Sequence, residues 1–68
     1  MKVVSGKEFA RLLKKKGWEL KRIKGSHRIY TKLGNPARIS VPMHKNMPLK
    51  IGLLKHLMKI ADVEESEL

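Results

Sequence analysis

The spacing of the apolar residues changes once, at Gly17–Trp18, and that change dictates which part of the chain is helix and which is strand. Before it, Phe9, Leu12 and Leu13 recur at the spacing of one helix face, with Lys16 a turn further on. After it, apolar and polar residues alternate as they do along a half-buried strand. Local signals mark both ends of the helical stretch. Ser5 and Glu8 stand at capping-box spacing, and Val4 and Phe9 flank them as a hydrophobic staple. Gly17 suits the left-handed residue that closes a helix, with Trp18 folding back on Leu13. A first helix is therefore expected from Ser5 to Lys16, where Lys14, Lys15 and Lys16 complement the negative end of its dipole.

Beyond Trp18 the chain reads as a three-stranded meander. Gly25 and Ser26 form the two-residue link of a tight hairpin, because Gly tolerates the positive φ such turns demand. In that register Lys24 faces His27, Arg22 faces Ile29, and Leu20 faces Thr31. Trp18, Leu20 and Ile29 are then expected in the core, on the face shared with His27, while Lys21, Arg28, Tyr30 and Lys32 form the other face. Gly34, Asn35 and Pro36 make a second turn, and Ala37 to Val41 a third strand with Ala37, Ile39 and Val41 on one face and Arg38 and Ser40 on the other. Pro42 ends the strand, since it lacks a ladder donor. Met43 to Pro48 reads as a loop, and Ile51, Leu54, Leu57, Met58 and Ala61 as the apolar stripe of a second helix. Lys55 and Lys59 fall on its exposed side. Asp62 and Glu65 repeat the capping-box spacing and suggest a short terminal turn. The expected fold is one α+β domain over residues 1–68: helix, three-stranded antiparallel sheet, helix, with both helices on one face of the sheet. Double-stranded RNA-binding domains share that plan, but a fold does not by itself assign a function.

Charge narrows the class of partner. The chain has a formal net charge of +10 in 68 residues, with all 16 Lys and Arg in residues 1–60 against only Glu8 and Glu19. Residues 61–68 hold Asp62, Glu64, Glu65 and Glu67 and no base. A basic body attracts nucleic acid, or an acidic protein that imitates it, through counterion release and steering. With no cysteine the chain forms neither a disulfide nor a thiolate metal site. The start, Met1 to Val4, has no long apolar run, so neither a signal peptide nor a membrane span is expected, and the cytoplasm is the expected location.

The candidate chemistry sits at the hairpin turn. His27 follows Gly25 and Ser26, and histidine both takes and gives a proton near neutral pH. Lys21, Arg22, Lys24 and Arg28 surround it, which points to chemistry on a polyanion. RNA carries its own nucleophile, the 2′-hydroxyl. Its cleavage needs a base, an acid and charge on the phosphate, and it needs no cofactor and no metal. His27 is the expected acid or base, Lys24 or Arg28 the phosphate partner, and Ser26 a hydrogen-bond donor at the turn. Tyr30 alternates with Arg28 and Lys32 on a candidate RNA face, where bases stack on aromatic rings. The alternative is an RNA-binding module without chemistry, in which these cations only position phosphate. DNA binding is weaker, because no recognition helix with base-reading side chains stands out. His27, His44 and His56 lack metal-ligand spacing. His44 lies in the loop after Pro42, so the sequence leaves the second proton-transfer group unnamed.

The chain resembles the HicA family of toxins. The resemblance runs from Ser5, Gly6 and Lys7 through Leu12, Leu13, Gly17 and Trp18 to Lys24, Gly25, Ser26 and His27. It continues with Gly34 and Asn35, then Val41, Pro42 and His44, and ends with Leu49, Lys50, Gly52, Leu54 and Ala61. It implies a fold like the double-stranded RNA-binding domain, an mRNA-cleaving endoribonuclease with His27 at the catalytic position, and neutralisation by a HicB-type antitoxin. The free toxin is expected to be a monomer. Two positions depart from the family pattern: Leu53 stands where Thr or Ser is frequent, and Asp62 where Gly commonly ends the helix.

Overall fold

The computed structural model describes residues 2–44 and 47–68. Helix α1 spans Gly6–Lys15, strands β1, β2 and β3 span Glu19–Lys24, His27–Lys32 and Asn35–Pro42, and helix α2 spans Ile51–Ala61. A turn of 3-10 helix, Glu65–Glu67, follows. The strands form one antiparallel sheet in the order β1-β2-β3, and both helices pack against β3 on the same face. This is the α+β arrangement expected from the sequence. No helix among the described residues is long and apolar enough to cross a membrane.

Each helix begins and ends for local reasons. Ser5 Oγ accepts the Glu8 N–H at 3.1 Å and Glu8 Oε1 accepts the Ser5 N–H at 3.1 Å, so two otherwise unpaired donors of α1 are satisfied. At the other end, the Trp18 N–H reaches the Leu13 carbonyl at 2.9 Å and the Gly17 N–H that of Lys14 at 3.1 Å. That pair of bonds is a Schellman ending, with Gly17 at φ 93°. Helix α2 ends the same way: Val63 N–H bonds to Met58 and Asp62 N–H to Lys59. Here Asp62 occupies the left-handed position, at φ 56° and ψ 47°. The departure at Asp62 therefore leaves the helix ending intact and loads it with strain. The capping pair of the terminal turn lies two residues beyond the expected one: the Glu64 N–H donates to Glu67 Oε1 at 2.8 Å, because Asp62 is already committed to closing α2.

The core gathers Phe9 and Leu13 from α1, Leu54, Leu57 and Met58 from α2, and Tyr30, Ile39 and Val41 from the sheet. Here the expected facing of the hairpin is corrected. Tyr30 is fully buried, whereas Leu20 is 38% exposed and Ile29 only half-buried. The register near the turn is as expected, with Lys24 opposite His27 and Arg22 opposite Ile29. A bulge between Leu20 and Arg22 then shifts it, so that Leu20 faces Tyr30 and Glu19 faces Thr31. Pairing with β3 decides the outcome. Tyr30 lies opposite Ile39 and Arg28 opposite Val41, and the buried Ile39 and Val41 bring their partners to the helix side. His27, Ile29 and Thr31 therefore look away from the helices. Two smaller differences follow. The turn after β2 is Leu33–Gly34, and Asn35 and Pro36 join β3 through a register shift in which Asn35 Oδ1 accepts the Ala37 N–H at 2.9 Å. Ile51, expected in the buried stripe, is 59% exposed in the first turn of α2.

The segment before α2 is tied to the segment before α1. Leu49 N–H donates to the Val4 carbonyl at 2.7 Å, and Ser5 and Pro48 form an antiparallel bridge. Helix α1 also lies close to the end of β3, where a Cβ added at Gly6 would strike the Pro42 carbonyl oxygen. The expected loop from Met43 to Pro48 includes Lys45 and Asn46, which lie outside the described residues.

Candidate nucleic-acid site

His27 begins β2, next to the turn that the sequence marks. Gly25 takes φ 59°, so the two-residue turn closes with Lys24 directly opposite His27. The turn is anchored across the sheet as well: the Ser26 carbonyl accepts the Met43 N–H at 2.7 Å, and His27 pairs with Pro42. The backbone that carries His27 is thus held by its neighbours on both sides.

Two further side chains meet His27 on the open face. Ser40 Oγ lies 3.2 Å from His27 Nδ1, so Nδ1 is engaged and Nε2 is the ring nitrogen free to exchange a proton. His44, which follows β3, sets its ring at 87° to that of His27, with the centroids 6.2 Å apart. Both rings are exposed to solvent. Beyond His44 an apolar groove of about 260 Å³ is lined by Pro42, His44, Met47, Pro48, Leu49, Lys50 and Leu53. Two histidines side by side at the mouth of such a groove offer two proton-transfer groups within the span of a single phosphate.

The cations divide between the two faces. Arg22, Lys24 and Ser26 are exposed beside His27. Lys21 is exposed at the β1 bulge, without a partner across the ladder. Arg28, Tyr30 and Lys32 occupy the opposite face, toward the helices. Contrary to the expectation of a stacking platform, the Tyr30 ring is completely buried and has no surface on which a base could stack. The only acid in β1 and β2 is Glu19, at the end of β1 away from the turn. Among the described residues, no group of three His, Cys, Asp or Glu side chains converges as metal ligands would.

No local signal in the sequence marks Ser40 or places His44. The alternation of Ile39, Ser40 and Val41 puts Ser40 on the open face, but only the β2–β3 register brings it to His27. The neighbourhood of His44 depends on how the chain turns after Pro42, which no local signal marks.

Comparison with protein families bears on this arrangement. The model of the HicA toxin of bacterial toxin–antitoxin systems matches residues 6–63. The matched span takes in both helices, the whole sheet, His27, Ser40 and His44. None of the curated proteins matches the chain.

Proposed function

We propose that this chain, which belongs to the HicA toxin family of bacterial toxin–antitoxin systems, is an endoribonuclease that cuts mRNA with His27 and His44 as its general base and general acid and is neutralised by a HicB-type antitoxin. The observation that carries the reading is the pair of exposed imidazoles, 6.2 Å apart, with Ser40 on His27 Nδ1.

The chemistry follows from the substrate. The neutral imidazole of the pair takes the proton from the RNA 2′-hydroxyl, and the resulting oxygen attacks the adjacent phosphorus. The bond from phosphorus to the 5′-oxygen breaks, and the protonated imidazole gives its proton to that leaving oxygen. One proton is taken up and one released, and the products are a 2′,3′-cyclic phosphate and a 5′-hydroxyl. Lys24, across the ladder from His27, and Arg22 offset the charge that builds on the phosphate oxygens. Ser40 fixes which nitrogen of His27 faces the substrate. Each proton transfer is worth about 10²- to 10⁴-fold in rate, and a toxin that destroys many messages does not need a fast turnover.

The reading is tested with purified RNA in excess chelator, comparing wild type, His27→Ala and His44→Ala after circular dichroism has established equal folding. Cleavage by wild type, with loss of at least about 10²-fold in each variant, supports it. RNA bound but uncut by all three proteins would make the chain a binding module. Equal cutting by His27→Ala would remove His27 from the chemistry.

A further inference from the structure

The sheet face turned toward the helices carries a second basic surface that the two histidines do not use. Lys7, Ala10, Arg11 and Lys14 share one side of α1, being separated by three and four positions. With Arg28, Tyr30 and Met43 they line a groove of about 180 Å³. The groove exists because both helices pack on β3, while β1 buries none of its side chains. Four of its lining residues are cations and none is an acid. The only ion pair among the described residues, Lys16 with Glu67, lies elsewhere.

A phosphate lying in the groove supplies the counter-charge for Lys7, Arg11, Lys14 and Arg28 together.

We propose that this groove binds backbone phosphates of a single-stranded RNA whose scissile phosphate sits at His27; the inference rests on the nuclease reading above. His27 and Arg28 are consecutive in β2 with side chains on opposite faces, so the two surfaces are separated only by the thickness of the sheet. A path between them runs around β1, an edge strand of the sheet, where Lys21, Arg22 and Lys24 are exposed. A flexible strand follows that turn, whereas a duplex is too stiff to wrap an edge this thin.

The test uses a labelled 2′-O-methyl oligonucleotide long enough to span both faces, which binds but has no nucleophile. Lys7→Glu/Lys14→Glu is compared with Lys55→Glu/Lys59→Glu, an equal charge change on exposed residues of α2. Expected for the α1 pair is a loss of at least about tenfold in affinity and a fall of about 1.4 in the slope of log K against log salt, about 0.7 for each single-strand phosphate that is no longer neutralised. Cleavage of a dinucleotide, which reaches only His27, stays at the wild-type rate, and the α2 pair loses much less affinity. Equal losses in the two lysine pairs would overturn the proposal, as would an unchanged salt slope or tighter binding of a duplex of the same sequence. Retained RNA affinity with lost binding of an acidic partner protein would assign the groove to that protein and overturn it too. If no form cuts the dinucleotide, the nuclease reading fails, and the binding comparison still decides the groove.

Discussion

Gly6→Ala should cost this small domain much of its stability, for a reason of space and not of backbone conformation. Gly6 has no positive φ. It is the first residue of α1, and a Cβ there would run into the Pro42 carbonyl oxygen, with Met43 Sδ 3.3 Å away. The struck atom is backbone, held by the pairing of Pro42 with His27 and by the bond from Met43 N–H to the Ser26 carbonyl, so relief requires α1 and β3 to move apart. Overpacking of this kind costs about 3 kcal/mol at the upper end of the usual range, and replacing a helical Gly by Ala returns about 1 kcal/mol. The net loss is about 2 kcal/mol. For 68 residues each kcal/mol moves Tm by about 7 °C, so the midpoint should fall by about 14 °C. The control is Gly52→Ala in α2, where a new Cβ meets nothing within 4 Å and Tm should hold or rise. Thermal unfolding followed by circular dichroism reads both variants. If Gly6→Ala melts with Gly52→Ala, the close approach of α1 to β3 is wrong.

Other outcomes follow from the same structure. Asp62→Gly should raise Tm by several degrees, because Gly takes the left-handed ending of α2 at about 1 kcal/mol less strain; an unchanged Tm would refute the strain. Lys50→Ser should also stabilise, by about 1 kcal/mol in urea unfolding, since Lys50 caps α2 without a side-chain bond and sets a cation at the positive end of the helix dipole. The Ser5 backbone and hydroxyl hold Glu8 below the usual carboxylate range, and the Glu64 N–H and Lys16 do the same for Glu67. The stability these two carboxylates contribute is present above pH 4.5, the ordinary value, and is lost as pH falls through their lowered values. Tm should decline below that pH, and less steeply in Glu67→Gln; equal slopes would remove Glu67 from the acid transition. Ser40→Ala should slow RNA cleavage while leaving Tm near wild type, because it frees His27 Nδ1 at an exposed position.

What could be read in the sequence was what local chemistry decides. The Ser5–Glu8 box, the Gly17 ending, the Gly25–Ser26 turn and the alternation of Ala37, Ile39 and Val41 each depend on residues within a few positions of one another, and each stands in the fold as expected. The facing of the hairpin does not have that property. Leu20 and Ile29 look apolar enough to be core, and Tyr30 looks polar enough to be surface, but Ile39 and Val41 on the next strand settle which side is buried. The bulge at Leu20 and Arg22, invisible to a strict alternation, then carries Leu20 to the helix side opposite Tyr30, where it stays partly exposed on a strand that buries none of its side chains. The site divides along the same line. His27, Arg22, Lys24 and Ser26 lie close together in the sequence around the turn, so local spacing alone groups them. Ser40 and His44 reach His27 only through β3 and the chain beyond it, and the assignment of Arg28, Tyr30 and Lys32 to the reverse face waited on the same pairing.

The pH dependence of cleavage tests the central claim most directly. With a dinucleotide substrate in chelator, wild type should give a bell-shaped rate profile, since one imidazole must be neutral and the other protonated. His27→Ala and His44→Ala should each retain one limb of the bell and lose the other, at a rate lower by at least about 10²-fold. A His44→Ala protein with the full wild-type bell and rate would contradict the account and leave His27 without the partner assigned to it.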